Sequence, residues 1–137
     1  MVFINQDSEL MTNYVGANPI PAGERFSVFR DADNDVGVFA LSEDGVLELI
    51  MAVDGKTTKI DFGVNSGILA SGAVVQAFAV AQSPGSTLDI AVAVAHGSSS
   101  DFYLLTGIGL SELQGPAPSS KITTGSGFPT VRHIFMV

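Results

Sequence analysis

The stretch RFSVFRDADNDVGVFALSEDGVLELIMAVDGKTTKIDF (Arg25–Phe62) decides the fold class. Three alternating apolar segments, RFSVFR, VGVFALS and VLELIMAV, are followed by TTKIDFG, and alternation with period 2 is the pattern of half-buried strands. The last two junctions contain Asp44-Gly45 and Asp54-Gly55. This dipeptide favours tight hairpins because both turn positions take positive φ. The expected product is a four-stranded antiparallel meander of about 38 residues, the size of one propeller blade.

The pattern recurs. RFSVFR (Arg25–Arg30) returns as AFAVAQ (Ala77–Gln82) and as IFMV (Ile134–Val137), with Phe26, Phe78 and Phe135 spaced by 52 (78−26) and 57 (135−78) residues. At the same offset of 52, Val28 aligns with Val80, Val38 with Ile90 and Gly45 with Gly97. A second meander therefore reads as VVQAFAVAQ, TLDIAVAVA and DFYLLTG, with KITTG as its outer strand. LDIAVAVA also fits a buried helix, but its shortness and the flanking Pro84-Gly85 and Gly97-Ser-Ser-Ser favour a strand. The segment Gly107–Pro129 is rich in Gly, Pro and Ser and reads as an outer strand combined with a surface loop.

The expected class is all-β, as a single partial propeller unit of about 2.5 to 3 blade-equivalents. A blade part occupies residues 1–15, where VFINQDSEL reads like the second half of VFALSEDGVL. Full blades occupy 25–62 and 73–124, and the first strand of a next blade occupies 130–137. A ring needs about four or more blades, so completion is expected from another copy of the chain. Two copies would make six blades, with the IFMV strand of one against the VFINQ strand of the other. The alternative is a fragment of a longer propeller whose missing blades lie elsewhere.

Composition narrows the function classes. Fourteen acids against six cations give a net charge of −8, which excludes the basic stripe that nucleic acid or an anionic membrane requires. The absence of cysteine removes disulfides, thiolate nucleophiles and Cys-based zinc sites. Asp7 and Glu9 follow the N-terminus almost at once, unlike a secretory signal. Gly67–Gln82, the most apolar stretch, is too short and too polar to span a bilayer. The expected setting is soluble, cytoplasmic or exported by a non-classical route.

DADNDVGVFALSEDGVLELI (Asp31–Ile50) is similar to the blade motif of fucose-lectin-like and tectonin-like propellers, in which a polar turn precedes a Val-Phe-Ala strand, an Asp-Gly turn and a further strand. The resemblance covers about two blades. It implies sugar binding between blades and a ring assembled from several short chains. Such sites commonly stack sugars on Trp. This chain has none, which leaves Tyr14, Tyr103 and the phenylalanines as rings.

Candidate ligand-binding residues are accordingly Arg30 and Tyr103, with Arg132 and His133 opening the last strand near the expected junction between copies. Asp31, Asp33, Asp35 and Gly37 form D-x-D-x-D-x-G, whose alternate carboxylates suit calcium. Val36 and Ser42 replace the Gly and Glu of an EF-hand loop, so a solvated acidic turn is the competing reading, and no other cofactor is expected. His96 falls at a hairpin position, where a turn role competes with catalysis. No nucleophile elbow, P-loop or His-Glu-x-x-His motif appears. The expected activity is lectin-like binding of a glycan or small neutral ligand. The alternatives are a cofactor-free, cyclase-like enzyme acting on a hydrophobic molecule in the propeller channel and an interaction scaffold.

Overall fold

The computed structural model describes residues 2–4, 10–12, 25–30, 36–53, 56–82, 87–131 and 134. β1 (Val2–Ile4) and β2 (Leu10–Thr12) pair antiparallel, with Val2 opposite Thr12. The first four-stranded sheet is β3 (Arg25–Arg30), β4 (Val36–Leu41), β5 (Leu47–Val53) and β6 (Lys56–Asp61), antiparallel and in sequence order. The second is β7 (Val75–Gln82), β8 (Thr87–His96), β9 (Ser99–Gly109) and β10 (Ile122–Phe128), again a meander. Among the described residues, helix is confined to α1 (Phe62–Asn65) and two single 3-10 turns, Leu110–Glu112 and Ser119–Lys121. The chain is all-β, and LDIAVAVA is a strand.

The strand ladder carries the repeat. Val28 lies opposite Val38 in the first sheet, and their equivalents at +52, Val80 and Ile90, lie opposite each other in the second. Phe26 and Ala40 are matched in the same way by Phe78 and Val92.

The sheets pack through one core. The first contributes Phe29, Phe39, Leu41, Leu47, Leu49 and Met51; the second contributes Leu88, Ile90, Val92, Val94, Leu105 and Ile108. Core residues are odd-numbered in β4 but even-numbered in β8, whereas an offset of 52 preserves parity. The two sheets therefore bring opposite faces to the shared core and stack head to tail. The other face of the second sheet is floored by alanine, with Ala77, Ala91 and Ala93 buried. Beyond the floor, Phe102 and Leu104 stand opposite Ala93 and Ala91.

The crossover from β6 to β7 is held by local caps. Asp61 Oδ1 accepts the Val64 N–H at 3.1 Å to start α1, which satisfies a donor that the helix leaves open. The buried Ser66 Oγ donates to Gly63 O at 3.1 Å, and Ser66 O accepts the Ala117 N–H at 2.9 Å, tying the crossover to the segment before β10.

Several expectations need adjustment. At Asp44-Gly45 the loop is wider than a two-residue turn: Gly45 N–H donates to Ser42 O at 3.0 Å and Ser42 N–H to Val46 O at 3.0 Å. Gly45, at φ 82, takes the left-handed position of a three-residue loop ending in a bulge. Asp54-Gly55 lies outside the described residues. The outer strand of the second sheet continues to Phe128, beyond the expected boundary at 124, through a bulge between Gly125 and Phe128. In 130–137, Thr130, Val131 and Ile134 form no strand, and the remaining positions lie outside the described residues.

Candidate functional site

The two edge strands that open the sheets, β3 and β7, meet at their C-terminal ends. Gln82 folds its side-chain amide onto the backbone of Arg30: Nε2 donates to Arg30 O, and Oε1 accepts the Arg30 N–H at 3.4 Å. A primary amide carries a donor and an acceptor in the arrangement of a peptide group, so it can mimic a strand partner. Position 82 is the repeat equivalent of position 30. Equivalent ends of the two sheets are thus clamped side by side, with Arg30 and Gln82 both exposed. The acidic run Asp31–Asp35 follows directly in sequence.

Tyr103 sits elsewhere. It pairs with Val92 and Thr124 and packs, partly buried, against the core, on the face that the first sheet covers. The ladder puts Tyr103 in the row of Phe78 and Val92, whereas Gln82 is in the row of Leu88 and Ile108. Strand spacing and rise make that a separation of roughly 16 Å within the sheet. Arg30 and Tyr103 are therefore not brought together. Arg132, His133, Asp31, Asp33 and Asp35 lie outside the described residues. Among the described residues, no group of three or more His, Asp or Glu side chains could hold a metal ion.

His96, at the tip of the β8–β9 hairpin, places Nδ1 2.9 Å from Asp101 Oδ2. Ser99 Oγ is directed at His96 O, at 3.0 Å, and not at the ring. The pair braces a hairpin and, among the described hydrogen bonds, has no hydroxyl nucleophile on its imidazole. Glu43, Asp44 and Asp61 are exposed, and Asp61 serves as the cap of α1.

A denser polar network locks the loop before β10. Lys121 Nζ donates to Glu112 Oε1 at 2.7 Å and to Gly107 O at 2.9 Å. Gly109 N–H donates to the same Glu112 oxygen at 2.9 Å, and Gly107 N–H donates to Asp89 Oδ1 at 2.8 Å. The Lys121 hydrogen bond, then that of Gly109, holds the Glu112 carboxyl below its ordinary value of 4.5. A lowered folded-state value means that the ionised form stabilises the fold above about pH 4.5 and that this contribution is lost as pH falls through the lowered value. Thermal melts at pH 7 and pH 3 are expected to differ less in Glu112→Gln than in the wild type; an unchanged difference would place the acid sensitivity elsewhere.

Between the 42–46 loop and the crossover lies a niche of about 30 Å³ with a mixed lining that includes Leu47, Asp61, Val64, Leu69 and Val75. It has room for a water molecule and not for a substrate. No helix among the described residues is long and apolar enough to cross a membrane.

Sequence reasoning missed Gln82 and Gln76. Gln76 Oε1 accepts from the buried Ser100 Oγ and from the Val131 N–H, the latter at 3.4 Å. The 52-residue offset was the available signal for Gln82, since it aligns with Arg30. Comparison of the chain with protein-family models, with curated proteins and with solved structures finds no match.

Proposed function

We propose that the chain is a lectin-like binding module of propeller type, which holds a glycan or other small neutral ligand where successive blades meet. The observation that carries this reading is the Gln82–Arg30 clamp, which sets equivalent ends of two head-to-tail sheets side by side and exposed. A junction between repeated units that carries an amide and a guanidinium, with an acidic run next in sequence, suits a hydroxyl-rich ligand that needs both donors and acceptors. Head-to-tail stacking also supports the blade reading, because a ring of blades presents one face of each unit to the opposite face of the next. Two copies complete the ring, and calcium on Asp31, Asp33 and Asp35 is the one ion in keeping with the sequence. The cyclase-like alternative draws no support from the small niche beneath the 42–46 loop.

The test is a glycan array probed with full-length protein, with and without EDTA, alongside Arg30→Ala and a sedimentation measurement of mass. Binding by the wild type, at least about tenfold weaker in Arg30→Ala, is the expected result for loss of a charge-assisted contact. An array without hits from a species of twice 14.2 kDa would count against the lectin reading. A stable monomer would remove ring closure.

A further inference from the structure

The geometry points to Phe128 as the stacking platform of a neutral pyranoside site on the outer rim of the second sheet, separate from the Arg30 end. This rests on the lectin-like reading and gives it a second, specific location.

In a regular strand, residues 125 and 128 would face opposite sides of the sheet. Here Gly125 lies opposite Phe102 and Phe128 opposite Ser100, so one extra residue is accommodated between them, with Gly127 at φ 77. The bulge re-aims Phe128 onto the face that carries Phe102. Its ring then lies over Gly125: a Cβ built at that glycine would come 2.9 Å from Phe128 Cε2 and 3.4 Å from Cζ. Phe102 buttresses it, with ring centroids 6.2 Å apart and planes tilted by 58°. Pinned below by Gly125 and at the side by Phe102, Phe128 is still 47% exposed.

Isolated exposed apolar residues are ordinary on protein surfaces. Phe128 differs because its position is fixed by backbone geometry, and a platform that is already ordered loses little freedom when a ligand stacks on it. The surroundings define the ligand. From Ile122 to Val131 there is no charged residue, in a chain of net charge −8. Thr123, two positions before Gly125 and on the same face, is exposed, as are Ser126 and Thr130. An exposed ring on a stretch that is rich in hydroxyls and has no charged residue of its own matches a neutral pyranose, whose C–H face stacks while its rim forms hydrogen bonds. The competing role is local packing, in which Phe128 only covers the edge glycine.

The test uses full-length protein and three probes, the methyl glycosides of glucose, galactose and mannose, followed by saturation-transfer NMR and titration. At least one is expected to receive saturation and to bind about tenfold more weakly to Phe128→Ala, while Phe128→Tyr stays within about threefold of wild type. Gly125→Ala, which keeps the phenylalanine but displaces its ring, is expected to weaken binding similarly, and circular dichroism checks that each variant is folded. Binding unchanged in Phe128→Ala and weakened in Arg30→Ala would overturn the platform and leave the lectin reading standing. No binding of any of the three probes would overturn the platform, and the glycan array would then decide the lectin-like reading on its own.

Discussion

Phe39→Ala is expected to destabilise the protein by about 3–5 kcal/mol, the range for truncating a fully buried phenylalanine. Phe39 is 0% exposed and sits on β4, inside the first sheet. Its ring meets Phe29 at 5.5 Å and, edge to face, Phe62 at 5.0 Å. Phe62 opens α1, so one side chain joins the first sheet to the crossover that leads into the second. Truncation would lose transfer free energy, leave a cavity and remove two aromatic contacts together. Typical domains have only about 5–15 kcal/mol in hand, so the variant would approach the limit of folding. Val28→Ala, at a site 44% exposed, is the control and should cost about 1 kcal/mol or less. Urea denaturation followed by circular dichroism measures both, and equal midpoints for the two variants would contradict the core described above.

Gly45→Ala is expected to cost about 3 kcal/mol in the same measurement, from two separable sources. The left-handed backbone at φ 82 penalises any Cβ by about 1–2 kcal/mol. The new methyl would also lie 2.6 Å from Val74 Cγ1 and 3.2 Å from both Val74 Cα and Val75 N. The backbone atoms can yield little, because Val75 N–H donates to Gly45 O at 2.8 Å and Ala95 N–H to Val74 O at 2.9 Å. Overpacking of this kind costs about 1–3 kcal/mol. Gly97 separates the terms: it is the repeat equivalent of Gly45, it has φ 59, and nothing lies within 4 Å of a Cβ built there. Gly97→Ala should therefore show the backbone term alone, about 1–2 kcal/mol. If the two variants melt together, the contact between the 42–46 loop and the crossover is not tight.

The strands were legible because alternation and turn residues act locally. β3 to β6 follow from period-2 patterning and an Asp-Gly junction, and the register of β7 with β8 follows from the offset that aligns Val28 with Val80 and Val38 with Ile90. Faces were harder. Alternation shows that Tyr103 and Phe102 point opposite ways, but which of them the first sheet covers depends on tertiary stacking. The Gln82 clamp was illegible for a different reason: an amide imitating a peptide group leaves no mark in composition. Phe128 reached its position only through a bulge that needs Gly127 at positive φ, and a Gly-Ser-Gly run reads equally well as plain loop. Arg30 was singled out in the sequence, but the Gln82 amide that clamps its backbone was not.

Head-to-tail stacking also separates two kinds of divergence. The side of the unit that keeps its bulk retains it in both copies, with Phe26 and Phe78, Val28 and Val80, and Val38 and Ile90 as counterparts. The reverse side has been rewritten: Phe29, Phe39 and Leu41 correspond at +52 to Ala81, Ala91 and Ala93. Like nested cups, the units have an inside and an outside that never touch their own kind. A substitution on one side is answered by the opposite side of the neighbouring unit and not by its own duplicate. Such a pile has a top and a bottom, and inverting the second unit within it would set its alanine floor against Phe29, Phe39 and Leu41.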